Sequence, residues 1–470
     1  MTGSQPGALH AVVASLGFPR EYSTILLDQM GSRIHGADDG GSFVNMVSAQ
    51  GSQSPTDDGV RNFAERTGRF PQPEIKIGLL TGGIDRPYVF GLAMALASRG
   101  VHLDVIGSDL VDRPELHAPP RLIFLNLRGD MRPNVSVKKK IGRVLIYYAR
   151  LIRYAWFAKP RVFHILWDNK FRLFDRVVLM LYYKALGKKI AFTAMNVNAA
   201  RRDANDSTLN RLSLRIQYRL ADHIFVHTER MKSELLRDFG VREEAVTVTP
   251  MGINHSVPNT ELTPVEAKRR LGIASGEKTI LFFGGVQPYK GLEYLVAAFQ
   301  MIASEHGEYR LIIAGAPTQS AQYWRDIQET IEKHPSCGRI IQRIEYVPDS
   351  ETEVYFKAAD VAALPYTEIF QSGVLVLSYG FGLPVIATDV GSLSKDIAEG
   401  KTGFICRPRD PVDLARVIAI YFESDLYLQL DKHRQNIRDY GSEHNSWDVA
   451  AEATANVYAK LLADILEPAS

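Results

Sequence analysis

The sequence predicts an α/β protein of two Rossmann-like domains, each a parallel sheet covered by helices, with the sheets facing a central cleft. Three observations carry this. At 470 residues the chain exceeds what one hydrophobic core organises. Short apolar runs alternate with helical stretches from about residue 74, and the alternation restarts after a polar break at 254–264 that carries Pro258 and Pro264. Charge also divides along the chain. Residues 71–258 hold 30 Lys+Arg against 17 Asp+Glu, residues 259–470 hold 20 against 29, and residues 1–70 hold 5 against 7. The formal net charge of +2 therefore conceals a basic half and an acidic half facing different partners.

In chain order, residues 1–70 are rich in Gly, Ser, Asp and Gln and read as a flexible extension, with one short helical stretch at 9–16. The first domain, 71–256, has strands expected at 75–81, 101–106, 121–127, 162–167, 189–193, 223–227 and 245–249. Helices are expected between them at 89–98, 171–186 and 228–239. Residues 257–276 form the linker. The second domain, 277–440, has strands at 279–283, 310–314, 340–344, 361–365, 384–388 and 403–406 and helices at 374–381 and 411–422. Residues 441–470, with a helix at 446–466, are expected to pack back on the first domain.

Composition excludes several classes. Apolar residues make up 46% and charged residues 23%, as in a folded soluble protein. Cys337 and Cys406 fit no disulfide or zinc pattern. No run of 18 uninterrupted apolar residues and no basic flank before a long apolar segment is present, so neither a membrane span nor a secretory signal is expected. The expected location is the cytoplasm.

Open parallel sheets bind ligands beyond the carboxyl ends of their strands. In the second domain the first strand runs into Gly284-Gly285 and then Lys290. Bare backbone, a cation and a helix start together suit an anion, and a nucleoside diphosphate fits; an ordinary βα turn with a solvated lysine is the alternative. A later loop ends in Gln371-Ser372-Gly373 before an apolar helical stretch. Ser372 is placed to cap that helix, and Gly373 admits a close anion. The two loops together describe a diphosphate cradle. In the first domain Gly82-Gly83 form either a tight turn or a second close approach.

The segments PYKG at 288–291, Ala314-Gly315 and GLPVIATDVGS at 382–392 resemble the retaining GT-B glycosyltransferases of family 4, the group 1 glycosyltransferases, over roughly residues 74–465. The resemblance implies the GT-B fold, a nucleotide-sugar donor on the second domain, an acceptor on the first, and a metal-independent mechanism with no cofactor beyond the co-substrate. Independently of it, the chain contains no Asp-x-Asp, His-Glu-x-x-His or Cys-x-x-Cys. On this reading Lys290, Gln371, Glu368 and Asn196 are the catalytic candidates. Gly284, Gly285, Gln287, Gly315, Ser372, Gly373, Val374 and Ser378 bind the donor, and Gly82, Gly83, Trp167, Asp168, Arg201 and Arg202 face the acceptor. The last group reads equally as ordinary loop polarity.

Three features depart from the family pattern. Its two glutamates fall on Ile369 and Leu377, its second cation on Gly285 or Gln287, and its histidine on Met195. A catalytically inactive nucleotide-sugar-binding or scaffold protein is therefore a second reading, and a sugar-nucleotide epimerase a third. Residues 133–167 contain no acidic residue, while Lys138, Lys139, Lys140, Arg143, Arg150, Arg153, Lys159 and Arg161 interleave with Tyr147, Tyr148, Tyr154, Trp156 and Phe157. That pattern suits an anionic membrane surface and a saccharide or lipid-linked acceptor at its inner face, or a helix packed on the sheet. No nucleic-acid module accompanies the charge.

Overall fold

The computed structural model describes residues 75–82, 86–132, 136–169, 171–203, 205–254, 256–318 and 321–466. The expected extension at 1–70 with its short helix, and Gly83, lie outside the described residues.

The first domain holds seven parallel strands in the order β3-β2-β1-β4-β5-β6-β7. They are β1 (Lys76–Leu80), β2 (His102–Gly107), β3 (Leu122–Asn126), β4 (Val162–Ile165), β5 (Lys189–Thr193), β6 (His223–Val226) and β7 (Val246–Val248). The second holds six, ordered β10-β9-β8-β11-β12-β13: β8 (Lys278–Phe283), β9 (Tyr309–Ala314), β10 (Ile340–Arg343), β11 (Val361–Leu364), β12 (Val385–Thr388) and β13 (Gly403–Cys406). Strand order reverses between β1 and β4 and again between β8 and β11, opening a crevice at each carboxyl end. Strands such as β4 (VFHI) and β11 (VAAL) are buried along their whole length, because helices cover both faces.

The helices used below are α1 (Arg86–Ser98), α2 (Val137–Phe157), α3 (Ala199–Arg202), α4 (Glu229–Phe239), α5 (Leu292–Glu305), α6 (Gly373–Gly380), α7 (Pro411–Glu423) and α8 (Trp447–Leu466). Helix α4 shows why such segments fold locally. Thr228 accepts a hydrogen bond from the Met231 amide at the start, and Gly240 closes the end in the left-handed conformation at φ 65°.

One expectation needs correction. The stretch 171–186 is not one regular helix: a π-helical turn over Phe174–Leu179 precedes a short α-helix at Met180–Ala185. It places Asp175 and Arg176 in the interior, where Tyr148 and Asn169 both donate to Asp175 Oδ1, its buried Oδ2 has no partner among the described residues, and Arg176 donates to Asp168. The linker stretch also contains a helix, Pro264–Arg270, capped by Thr263 and anchored by a buried Lys268–Asp360 pair at 2.8 Å. Helix α8 lies against the first domain's core: Trp447, Ala450, Ala451, Tyr458 and Leu461 join Ile77, Val89 and Leu96.

Candidate active site

The donor loop is built on a pair of glycines. Gly284 leaves β8 with φ 95°, and its amide donates to the Ala314 carbonyl at 2.9 Å. A Cβ on Gly315 would lie 2.0 Å from the Gly284 carbonyl oxygen, so the exits of β8 and β9 pack only if that residue is glycine. A Cβ on Gly284 itself would lie 2.9 Å from Lys290 Nζ and 3.7 Å from Val374 Cγ2. The lysine ammonium and the first turn of α6 therefore converge on one backbone position. Ser372 caps α6 by accepting from the Leu375 amide at 3.3 Å, and the space beside Gly373 is open except for Met251 Sδ at 3.9 Å.

Lys290 is only 9% exposed; its amide donates to the Gln287 carbonyl at 2.9 Å, while its ammonium makes no hydrogen bond or ion pair among the described residues. Burial, and secondarily the positive charge of Arg202, bring its pKa down to about 8. Its Nζ sits 5.7 Å from the ring centroid of the buried Tyr366. Two amide side chains complete this side. Gln287 donates through Nε2 to Thr318 Oγ1, and both its Oε1 and that of Gln371 are buried without a partner. Each orphaned acceptor costs about 1–3 kcal/mol, the signature of a group kept for a ligand's N–H or O–H. Glu368 is exposed and Asn196 half-buried at the exit of β5. Gly285 stands beside Thr318, 3.1 Å from its Oγ1 to a built Cβ. Ser378 is wholly buried and donates to the Val374 carbonyl one turn back.

On the first domain, Gly82 (φ 63°) packs against β4's exit, where a Cβ would lie 2.8 Å from Trp167 Cβ. Asp168 accepts from Arg176 Nε at 2.8 Å and from Gln217 Nε2 at 2.6 Å, one donor to each carboxylate oxygen. Arg201 turns toward Glu234 and Asp238, at 3.7 and 3.5 Å, on α4. Arg202, one residue on, crosses to the second domain and stacks on Tyr289, 4.2 Å from guanidinium carbon to ring centroid. Met195 does not stand alone: His227 Nε2 lies 3.3 Å from its sulfur, and burial lowers that histidine to a pKa of about 4. Neither Arg202's crossing nor His227 follows from local pattern; each rests on contacts between segments distant in sequence.

Beside Gly82, whose carbonyl accepts from Arg128, a cavity of about 260 Å³ is lined by Arg128, Arg132, Lys140, Arg143, Tyr147 and Asn169, with Asp130 holding two of the arginines at 2.9 and 2.8 Å. Among the described residues no group of three or more His, Cys, Asp or Glu side chains is placed to hold a metal ion.

Two parallel-sheet domains with crevices at both switch points define the GT-B class. Solved structures agree on the fold. A sucrose-phosphate synthase from Thermosynechococcus elongatus superposes with TM-score 0.66 at 19% identity, covering 83% of this chain and all of that one. Anabaena HepE, solved in complex with UDP-glucose, gives 0.64 at 15%, covering 82% and 100%. The family model for glycosyltransferase family 4 matches residues 81–257, and that for glycosyl transferases group 1 matches residues 277–423. The chain belongs to this family of glycosyltransferases. It is 29% identical to a D-inositol 3-phosphate glycosyltransferase of Corynebacterium diphtheriae over 395 residues, 79% of this chain and 88% of that protein. A match of 29% to the enzyme of that name from Streptomyces avermitilis spans 51% and 52%, and in most such pairs the chain spans about half the relative's length.

Proposed function

We propose that this protein transfers a hexosyl group from a nucleoside-diphosphate sugar, with retention and without a metal ion, to a saccharide or lipid-linked acceptor in polysaccharide or glycolipid synthesis. The observation that carries the reading is Lys290, a buried ammonium with no protein partner among the described residues, set over Gly284 beside the start of α6. A departing diphosphate develops negative charge, and preorganised cations and helix N–H groups stabilise it where water is excluded. The unpaired oxygens of Gln287 and Gln371 are acceptors for donor hydroxyls, and Asn196 and Glu368 border the same space. In a retaining transfer the leaving phosphate takes the acceptor's proton on the same face of the sugar, so no strong base is required; orientation does the remaining work. A structural neighbour's complex with UDP-glucose supports the donor class. The basic cavity by α2, and relatives named for an inositol phosphate acceptor, support an anionic acceptor.

The membrane contact is assigned to residues 137–161, at the inner face of a membrane. Along α2, Tyr147, Tyr148 and Tyr154 turn inward to Asn169, Asp175 and Asp104, while Ile141, Leu145, Trp156 and Phe157 remain exposed beside the exposed Lys138, Lys139, Arg150 and Arg153. No helix among the described residues is long and apolar enough to cross a membrane.

The test is a panel of UDP- and GDP-sugars assayed for nucleoside diphosphate release with and without acceptor, with the product anomer read by NMR. Release of a nucleoside diphosphate that Lys290→Ala abolishes is expected. Binding of a donor with no release supports the second reading, a nucleotide-sugar-binding protein, which draws on Ile369 and Leu377 sitting in the apolar core where the family has carboxylates.

A further inference from the structure

We infer that Arg202, carried by the first domain, is the second cation of the diphosphate site, so that the leaving-group pocket is complete only when the two domains meet. This rests on the donor-site reading above. A nucleoside diphosphate gains negative charge as it departs, and one ammonium compensates little of it. Between Gly284 and Gly291 the sole basic residue is Lys290, and residues 365–373, the other donor loop, contain none. These two loops thus bring a single positive charge to the phosphate site.

Arg202 is placed to supply what is missing. Helix α3, whose last residue it is, is capped by Asn198, which accepts from the Arg201 amide and donates to Asp206 at 3.1 Å. The guanidinium crosses the cleft and lies on the ring of Tyr289, the neighbour of Lys290, in the three-residue turn Pro288–Lys290. The carbonyl of Tyr289 accepts from the Thr367 amide at 2.8 Å, so this platform is tied to the exit of β11. Asp203 engages Arg202 along one edge, through Nε at 2.8 Å and Nη2 at 3.2 Å, and Nη1 has no hydrogen-bond partner among the described residues. The side chain is 15% exposed, so its charge is poorly screened, and Lys290 feels it as the second cause, after burial, of its lowered pKa. Two cations that repel each other, with one carboxylate on the edge of Arg202, favour an anion. The domains also meet elsewhere: Arg113 pairs with Asp349 at 2.8 Å, and Phe370 packs on the first domain's core.

The experiment compares UDP with UMP, and GDP with GMP, by calorimetric titration of the full chain, since only the β-phosphate separates the members of a pair. Arg202→Gln should weaken the diphosphate about tenfold and leave the monophosphate unchanged. It should also move the loss of diphosphate binding that accompanies Lys290 deprotonation to higher pH, because a repelling charge has gone. A diphosphate-to-monophosphate ratio unchanged in Arg202→Gln overturns the inference, as does a parallel loss of both nucleotides, which marks a structural role. Lys290→Ala separates the two levels. If it collapses the ratio while Arg202→Gln does not, only this inference fails; if it too leaves the ratio intact, or the unaltered protein binds neither UDP nor GDP, the donor-site reading fails.

Discussion

Replacing Lys290 by methionine should make the ligand-free protein more stable while abolishing diphosphate binding. Lys290 is 9% exposed, and its pKa falls from 10.5 to about 8 through burial and through Arg202. That difference corresponds to about 3 kcal/mol against the charged form in the fold. The cost is fully present below pH 8, where the lysine is charged in both folded and unfolded chains. It shrinks as pH rises toward 10.5, because the folded protein has released a proton that the unfolded chain still holds. Methionine keeps the length and apolar stem without the charge. In urea unfolding at pH 7, Lys290→Met should gain up to about 3 kcal/mol, with the gain narrowing at pH 9.5. Such a trade, stability against a functional charge, is what a binding site built into a core produces. A variant less stable than the parent at pH 7, or a gain equal at both pH values, would refute the reasoning.

Gly315→Ala places a methyl 2.0 Å from the Gly284 carbonyl at φ 153°, and should cost about 1–3 kcal/mol in urea unfolding and raise the donor KM more than it lowers UMP affinity. His164, His223 and His227 are held neutral by burial, with pKa values of about 3, 4 and 4. The unfolded chain takes up protons near pH 6.5 that the fold refuses, so stability should fall as pH drops from 6.5 toward 4, and His227→Gln should flatten the slope measured by urea titration. Trp156 and Phe157 are 52% and 73% exposed at the end of α2. Their double replacement by alanine should weaken co-sedimentation with phosphatidylserine-containing vesicles at least about tenfold at low salt, leaving donor hydrolysis unchanged; equal binding would remove the helix from the membrane contact.

The two parallel sheets, the polar break between them and the loops that leave β8 and β11 are written in local sequence pattern. These are local properties: apolar runs of strand length, glycines at strand exits, and Ser372 followed by an apolar helix. Residues that act within a few positions of one another, such as Gly284 and Lys290, were legible for the same reason. Tertiary packing decided the rest. Arg201 and Arg202 are adjacent and chemically identical, yet one ion-pairs Glu234 and Asp238 and the other crosses the cleft to Tyr289, because consecutive residues on a helix diverge by about 100°. The aromatics of α2 split between buried hydrogen bonds and open surface according to which side meets the sheet. His227 reached Met195 only when β5 and β6 were paired, and Trp447 closed the first domain by donating to the Ile253 carbonyl 2.8 Å away. Local pattern sets which way a strand or helix runs; the direction of each side chain, and hence the charge around Lys290, follows from what packs against it.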